Sequence, residues 1–494
     1  MCRKIMTLLF VTSILLTFVL SVGAEEVTGN TADNETDKTT ASILLGATTL
    51  DGENYQQIGF RMDLPLGKLG FGLDIQVLID EEGNIREEDW DEYEDYVDLI
   101  YYIRWDKKGA PFYAKIGGLE FTYLGYNDIV NGYTNMINYP DLKRLGLEMS
   151  IKAGRIDGEF FLNDLKEGFG SNPSVVYGGR LAVRMLGKIA VGATVAGDIY
   201  DFNGLRDSDG DDYADEVDRY PYDDALATEY EYFVGKRGIS ESAFDEFVGI
   251  GEYDGTRRAD IERKSDLESS LTIWGLDVGY PIISGDSIKV DLYAAYSNIV
   301  DYGWGVTAPG FRASVGDFFS FTAEYKIQSK EFMFGYFNNT YELERAYYKV
   351  DDSGILTPHP RQDRLLEITD DMQGYLVAAH FDLRDLISVN AQYQDMSSDT
   401  IPDINSLTGE VILNDGAYAI FPTVRAYYVQ NNVENFDEWR TESTIAGYVL
   451  EFAVGDATMG IDHQFTFEDM NGNGLIDGDD ETIRTISLFS RIEF

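Results

Sequence analysis

The sequence predicts an all-β chain, a transmembrane antiparallel β-barrel of about 20 strands (roughly 18–22) with long extracellular loops. Three observations predict it. Apolar residues recur with a period of two from about Ala41 to the last residue. The segments run about ten residues and are joined by alternately short and long connections. The final strand closes on an aromatic, Phe494.

The order begins with a processing signal. Arg3 and Lys4 form a basic start, Ile5 to Leu20 is an apolar run, and Val22-Gly23-Ala24 supplies small residues for cleavage. Residues 1–24 read as a signal peptide, with Glu25 the first mature residue. Residues 25–40 are polar, acidic and aperiodic, a flexible tail. Residues 41–494 form the barrel, with 201–266 as a long extracellular insertion. Cys2 is the only cysteine and lies in the signal, so the exported chain holds together by sheet and packing. No other run approaches the ~18 apolar residues of a membrane helix.

Composition narrows the function classes. The 494 residues carry 87 Asp+Glu against 39 Lys+Arg, a net charge of −48. That excludes a nucleic-acid partner, which needs clustered cations. A hydrophobic content of 44% with 33 Tyr and 28 Phe excludes a disordered polyelectrolyte. Three histidines leave little for histidine catalysis or a zinc site.

Five segments display the strand period. Leu69–Ile79 sets Leu69, Phe71, Leu73, Ile75, Val77 and Ile79 on one face, opposite Gly70, Gly72, Asp74 and Gln76. Leu145–Lys152, Ser287–Tyr296, Gly374–Leu383 and Gly447–Val454 repeat the arrangement. Short connections fall at Pro65-Leu66-Gly67, Lys107-Lys108-Gly109, Gly154-Arg155, Gly187-Lys188 and Gly455-Asp456. Long ones run Asp80–Tyr96, Gly118–Pro140, Asp201–Asp266, Tyr347–Asp370, Met396–Gly416 and Asn431–Glu442.

A soluble sandwich has the same period with its apolar face inward, so alternation alone does not choose. Long strands favour the membrane. So do aromatics near strand ends (Tyr101-Tyr102, Tyr280, Phe318-Phe319, Tyr427-Tyr428), which fit interfacial girdles. The last strand sets Phe494, Ile492, Leu488 and Ile486 on one face, interrupted by Ser490. A terminal aromatic on such a strand resembles the assembly signal of bacterial outer-membrane porin-like barrels, over residues 41–494 as a pattern. The resemblance implies an outer-membrane location, contact with lipid, and passive diffusion of small hydrophilic solutes or ions. Homotrimers are a family expectation. Arg61, Asp63, Asp74, Lys152, Arg180, Arg184, Lys289, Asp291 and Glu451 on the polar faces would then line the pore. A plugged energy-coupled transporter is not expected, because the 25–40 tail ahead of the first strand is too short for a plug domain.

Two loops carry calcium-type spacing and resemble EF-hand and thrombospondin-type loops. In Asp469–Asp480, oxygen side chains stand at positions 1, 3, 5, 9 and 12 (Asp469, Asn471, Asn473, Asp477, Asp480), with Gly474 at 6 and the carbonyl of Leu475 at 7. In Asp207–Asp218 the set is Asp207, Asp209, Asp211, Asp215 and Asp218, with Tyr213 at 7 and Asp212 where glycine is preferred. Calcium is the expected cofactor. The competing readings are a glycine-rich turn and a solvated acidic loop.

Asp80–Asp98 holds eleven acids and Arg86. It is either a solvated face or a funnel concentrating cations at the mouth, which would make the pore cation-preferring. Gly118–Pro140 has only Glu120 and Asp128 as charges, so it either folds into the barrel or packs outside. Ser240–Gly251 reads as a short amphipathic helix capped by Ser240.

His380 and Asp382 share a polar strand face but lack a nucleophile and an orienting partner, His463 sits among apolar neighbours, and His359 lies between prolines. The chain is therefore expected not to be an enzyme. A surface-exposed calcium-binding structural or adhesive β protein is the alternative to a channel, with an outer-membrane enzyme third.

Overall fold

The computed structural model describes residues 39–493, except 51–52, 81, 87–89, 91–95, 97–98, 138–142, 169–173, 186–187, 208, 222, 252, 286, 317, 351–355, 384–385, 414–422, 435, 455–456, 468–474 and 477–480. One 20-stranded sheet dominates it. Its first half comprises β1 (Thr40–Leu50), β2 (Glu53–Leu66), β3 (Leu69–Ile79), β4 (Ile100–Trp105), β5 (Phe112–Gly117), β6 (Gly146–Ala153), β7 (Ile156–Leu162), β8 (Val176–Met185), β9 (Ile189–Asp198) and β10 (Leu271–Ser284). Its second half comprises β11 (Ile288–Ile299), β12 (Trp304–Val315), β13 (Phe319–Gln328), β14 (Met372–Asp382), β15 (Ile387–Ser397), β16 (Ile404–Leu413), β17 (Val424–Val433), β18 (Thr444–Val454), β19 (Ala457–Phe467) and β20 (Thr482–Glu493).

Each strand pairs antiparallel with its neighbours in sequence, as β2 does with β3. β20 then pairs with β1, Thr40 facing Glu493 and Ala47 facing Ile486. The sheet is a closed antiparallel β-barrel, and closure leaves no edge strand.

The faces sort as the period demands. Along β10, exposed Trp274, Leu276, Val278 and Tyr280 alternate with buried Ile273, Gly275, Asp277 and Gly279. On β8 and β9, Leu181, Val183, Val191 and Val195 are likewise exposed. The outer wall is apolar, and the charges turn inward, the reverse of a water-soluble sandwich.

One expected connection is corrected. Met396–Gly416 is not a single long loop, because β16 occupies Ile404–Leu413 and pairs with both β15 and β17. Gly409 and the polar residues Ser406, Thr408 and Glu410 dilute the apolar period there, and only cross-strand pairing reveals the strand. Tyr101 and Tyr102 are also corrected as girdle residues: both engage inward-facing groups, where a register shift between Gly72 and Leu73 breaks the alternation opposite β4.

Two connections on the long-loop side fold into the barrel rather than away from it. Thr122–Tyr123 pairs with Val130–Tyr133, which pairs in parallel with Phe337–Asn338 of the connection between β13 and β14. Around this small sheet Leu119, Val130, Tyr133, Phe337 and Tyr341 pack against Phe161, Val176, Ala196 and Ile273 of the wall. The insertion between β9 and β10 carries the capped helix Glu241–Gly249, with Ser240 Oγ accepting from the Ala243 amide at 3.3 Å.

Candidate functional site

The inner wall is built from cross-strand charge pairs, since opposite charges on one face of adjacent strands stand within reach. Arg61 of β2 faces Asp74 of β3 in register and donates to it at 2.6 Å, with the Arg61 guanidinium 4.1 Å from the Tyr101 ring. Asp63 accepts from Thr40 at 3.5 Å. Arg180 of β8 reaches across to Asp277 of β10 at 2.7 Å. Asp291 stands opposite Arg312 in register. Lys152, Arg184 and Lys289 are exposed near the short connections, where Arg184 pairs with Asp157 at 3.1 Å; Glu451 is buried close to the same end.

The described part of the loop after β5, residues 118–137, enters the barrel. Its Asp128 is buried and accepts from Lys326 at 2.9 Å and Thr307 at 2.7 Å, both on the wall. Lys326 also pairs with Glu324 at 2.8 Å, and Glu324 accepts from Tyr293. Tyr126, two residues before Asp128, stacks on Tyr293 with ring centroids 3.9 Å apart. Glu120, the loop's other charge, accepts from Tyr101 at 3.0 Å. A loop so poor in charge can be buried because each charge it has meets a wall partner.

A polar ladder runs across four further strands of the wall. His380 of β14 meets Asn390 of β15 at 2.6 Å, Asn390 donates to Glu410 of β16 at 2.9 Å, and Arg425 of β17 donates to Glu410 at 2.7 Å. Glu410 and Arg425 are inner-wall charges that the sequence reasoning missed. Glu410 lay inside the supposed loop, and its only local signal was alternation with Leu407, Val411 and Leu413. The ladder also accounts for His380 as a wall group.

Towards the long-loop end, the connection between β13 and β14 is fixed to the wall by a buried ionic network. Arg345 donates to Asp198 at 2.6 and 2.7 Å, and Tyr341 donates to Asp198 at 2.8 Å. Arg144 pairs with Glu342 at 3.0 Å, and Tyr133 and Asn163 donate to the same carboxylate. Asp201 accepts from Ser269 at 2.9 Å; burial first, and the neighbouring Asp198 charge second, raise its carboxyl to about 8. Beside this plug lie two clefts of about 290 and 240 Å³ that share Arg364, Asn432 and Glu434.

The acidic loop at 207–218 is gathered by the fold. Carboxylate oxygens of Asp207, Asp209 and Asp211 all lie within 4.8 Å of one another. Asp212 adopts φ +77°, the left-handed turn that glycine supplies at this position in calcium loops. Asp218 is 6% exposed, and its Oδ2 has no hydrogen-bond partner among the described residues; the same holds for Asp209 Oδ2. Burial first, then the Asp211, Asp209 and Asp215 charges, push the Asp218 carboxyl up to about 6. Three cations flank the loop: Arg258 on Asp211 at 2.9 Å, Arg206 on Asp215 at 3.2 Å and Lys264 by Asp207 at 3.6 Å. The Tyr213 side chain is buried and its hydroxyl accepts from Arg263 at 3.2 Å. Of the second loop, only Leu475, exposed, and Ile476, buried, are described. Asp469, Asn471, Asn473, Asp477 and Asp480 lie outside the described residues, as does most of Asp80–Asp98.

No family model matches the chain, and no curated protein does. Among solved structures it is similar to OccK5 (OpdH) of Pseudomonas aeruginosa, at 11% identity and a TM-score of 0.31, covering 92% of this chain and 97% of that one. A BenF-like porin from Pseudomonas fluorescens Pf-5 gives 10%, 0.31, 92% and 97%. The siderophore receptor PirA from Acinetobacter baumannii gives 10%, 0.33, 95% and 81%.

Proposed function

We propose that the chain is an outer-membrane channel through which small hydrophilic solutes or ions diffuse, with a preference for cations and with calcium-ordered loops. The observation that carries the reading is the inverted polarity of a closed barrel: apolar side chains such as Leu181 and Leu276 face out, and ion pairs such as Arg61–Asp74 face in. A barrel of this strand number encloses more than its wall side chains fill. Here the inserted loop occupies one side, and the His380–Asn390–Glu410–Arg425 ladder lines the other. The solute path runs between them, past Tyr123, which is exposed on the inserted loop.

The cation preference follows from acid at the mouth, since the wall charges largely neutralise one another in pairs. Calcium ordering rests on the 207–218 geometry and, for 469–480, on spacing alone. Association into trimers belongs to the same proposal.

Planar-bilayer recording from the refolded, inserted chain tests the channel. Stepwise currents are expected, with a reversal potential in a salt gradient that shows cation preference at low salt. Inserted protein that passes no current would overturn the channel and leave the surface-exposed calcium-binding β protein as the reading. Recovery of the exported chain in a salt-washed soluble fraction would overturn the membrane location.

A further inference from the structure

We propose that calcium held by the 207–218 loop clamps the plug in the barrel mouth, so that losing the ion raises conductance. This rests on the calcium reading above and adds a regulatory role to that same site.

The site is more than a cluster of acids. Asp207, Asp209 and Asp211 converge because alternate residues of a tight loop face one point, and Asp212 makes the turn at φ +77°. Asp218, at the loop's twelfth position, is buried, and its Oδ2 has no hydrogen-bond partner among the described residues. The flanking cations engage Asp207, Asp211 and Asp215, and they leave the free oxygens of Asp209 and Asp218 without a partner among the described residues. A hard divalent cation taking six to eight oxygens would use these two together with the converging Asp207 and Asp211 carboxylates, drawing the latter from Lys264 and Arg258.

The same loop is packed directly onto the plug. Ala214, at the loop's eighth position, is fully buried against Phe202, Leu205 and Ala346. Gly204, three residues before Asp207, backs onto Arg345 so closely that a Cβ there would stand 2.7 Å from the arginine Cβ. Arg345 is the residue bound to Asp198, and Ala346 follows it. The helix Tyr341–Glu344 precedes it and carries Glu342, the partner of Arg144 and Tyr133. Upstream, Phe337–Asn338 pairs with Val130–Asn131 of the inserted loop. From the 207–218 loop to the inserted loop, then, every step is a packed contact, a hydrogen bond or a few residues of continuous chain.

The loop's far side closes the base of the insertion. Lys264 N donates to the Asp212 carbonyl at 2.9 Å and Ser265 N to its side chain at 3.0 Å. With the ion bound, the carboxylates attract one centre and hold Ala214 and Gly204 against the plug. Without it they repel, and the loop expands at the face that packs on Arg345 and Ala346.

The test is bilayer recording of the full chain with calcium or EGTA on the long-loop side, beside calorimetric calcium titration of the same refolded preparation. Calcium should lower conductance at least about two-fold, with a midpoint of roughly 10⁻⁴–10⁻³ M, the range of extracellular calcium modules. Magnesium at equal concentration should not. A D209N/D218N variant should insert, conduct at the EGTA level and ignore calcium; D209N alone serves if the double variant does not fold. Binding without any conductance change would overturn the clamp while leaving the calcium site standing. No binding heat would overturn both. A response matched by magnesium, or retained in the variant, would reduce the effect to charge screening and overturn the clamp.

Discussion

Arg345 Nε lies 2.6 Å from Asp198 Oδ2, with both side chains fully buried and 147 positions between them in sequence. This pair joins the plug to the rim of β9. Removing one partner of a buried ion pair strands the other charge and costs about 3–5 kcal/mol. Arg345→Met should therefore lower the temperature at which the folded barrel loses its heat-modifiable gel mobility, and should raise conductance. The double change to Asp198→Leu with Arg345→Met should recover most of the stability, because two apolar residues leave no stranded charge. Equal losses in the single and double variants would show that the pair is not coupled.

Asp201 gives the plug a pH dependence with a defined sign. Its folded carboxyl titrates at about 8, above the ~3.9 of an unfolded aspartate. Between those values the folded state holds a proton that the unfolded state has lost, so stability falls as pH rises, by up to about 1.4 kcal/mol per unit. Above about 8 the loss levels off. Asp201→Asn should flatten the slope of midpoint against pH from 5 to 8. An unchanged slope would place the responsible proton elsewhere.

Lys326 is the anchor of the inserted loop. Lys326→Met would leave Asp128 and Glu324 buried with no cation between them, which the loop can relieve by leaving the wall. Single-channel conductance should rise, and protease added from the long-loop side should cut between 118 and 137. Unchanged conductance would mean that Tyr126 stacking on Tyr293 suffices to hold the loop.

Glu410 and Arg425 stand as an opposite-charge pair on the inner wall, 2.7 Å apart. Glu410→Gln should move the reversal potential towards anions, most clearly at low salt, where the Debye length exceeds about 10 Å. A shift that persists undiminished in molar salt would contradict a screened, water-filled path.

The outer wall supplies a test of its own. Leu181 is 56% exposed in the middle of β8. An arginine at a lipid-facing midplane position costs about 2–4 kcal/mol, so Leu181→Arg should destabilise the inserted barrel by that order. In a water-soluble barrel the same change would be nearly neutral. Refolding into lipid vesicles with urea titration separates the two.

The barrel was legible in the sequence because its signal is local. Each strand alternates by itself, and Leu69–Ile79 or Ser287–Tyr296 needs no distant partner to reveal its inner and outer faces. Turn chemistry was local too, so Gly67 and Gly154, with φ of +67° and +63°, marked short connections. The Ser240 cap likewise announced its helix. What stayed hidden depended on contacts far apart in the chain. Lys326 meets Asp128 across 198 positions, and Tyr133 meets Glu342 across 209. Val130 and Phe337 form a strand pair too short to show any period. β16 was lost because Gly409 and its polar inner face weaken the alternation.

The pairing of β20 with β1 means that the ring is completed by residues more than 400 positions apart. Every other strand pair of the 20-stranded sheet joins segments adjacent in that sheet and consecutive among its strands, and can zip as a hairpin or across one connection. The final seam has no such local route, and the loop-closure entropy it must overcome makes it intrinsically slow. Until Ala41 lies beside Ile492, both rims of the sheet expose unpaired amides and carbonyls next to a wall of bare leucine and valine. That open curl is a strong template for joining another copy.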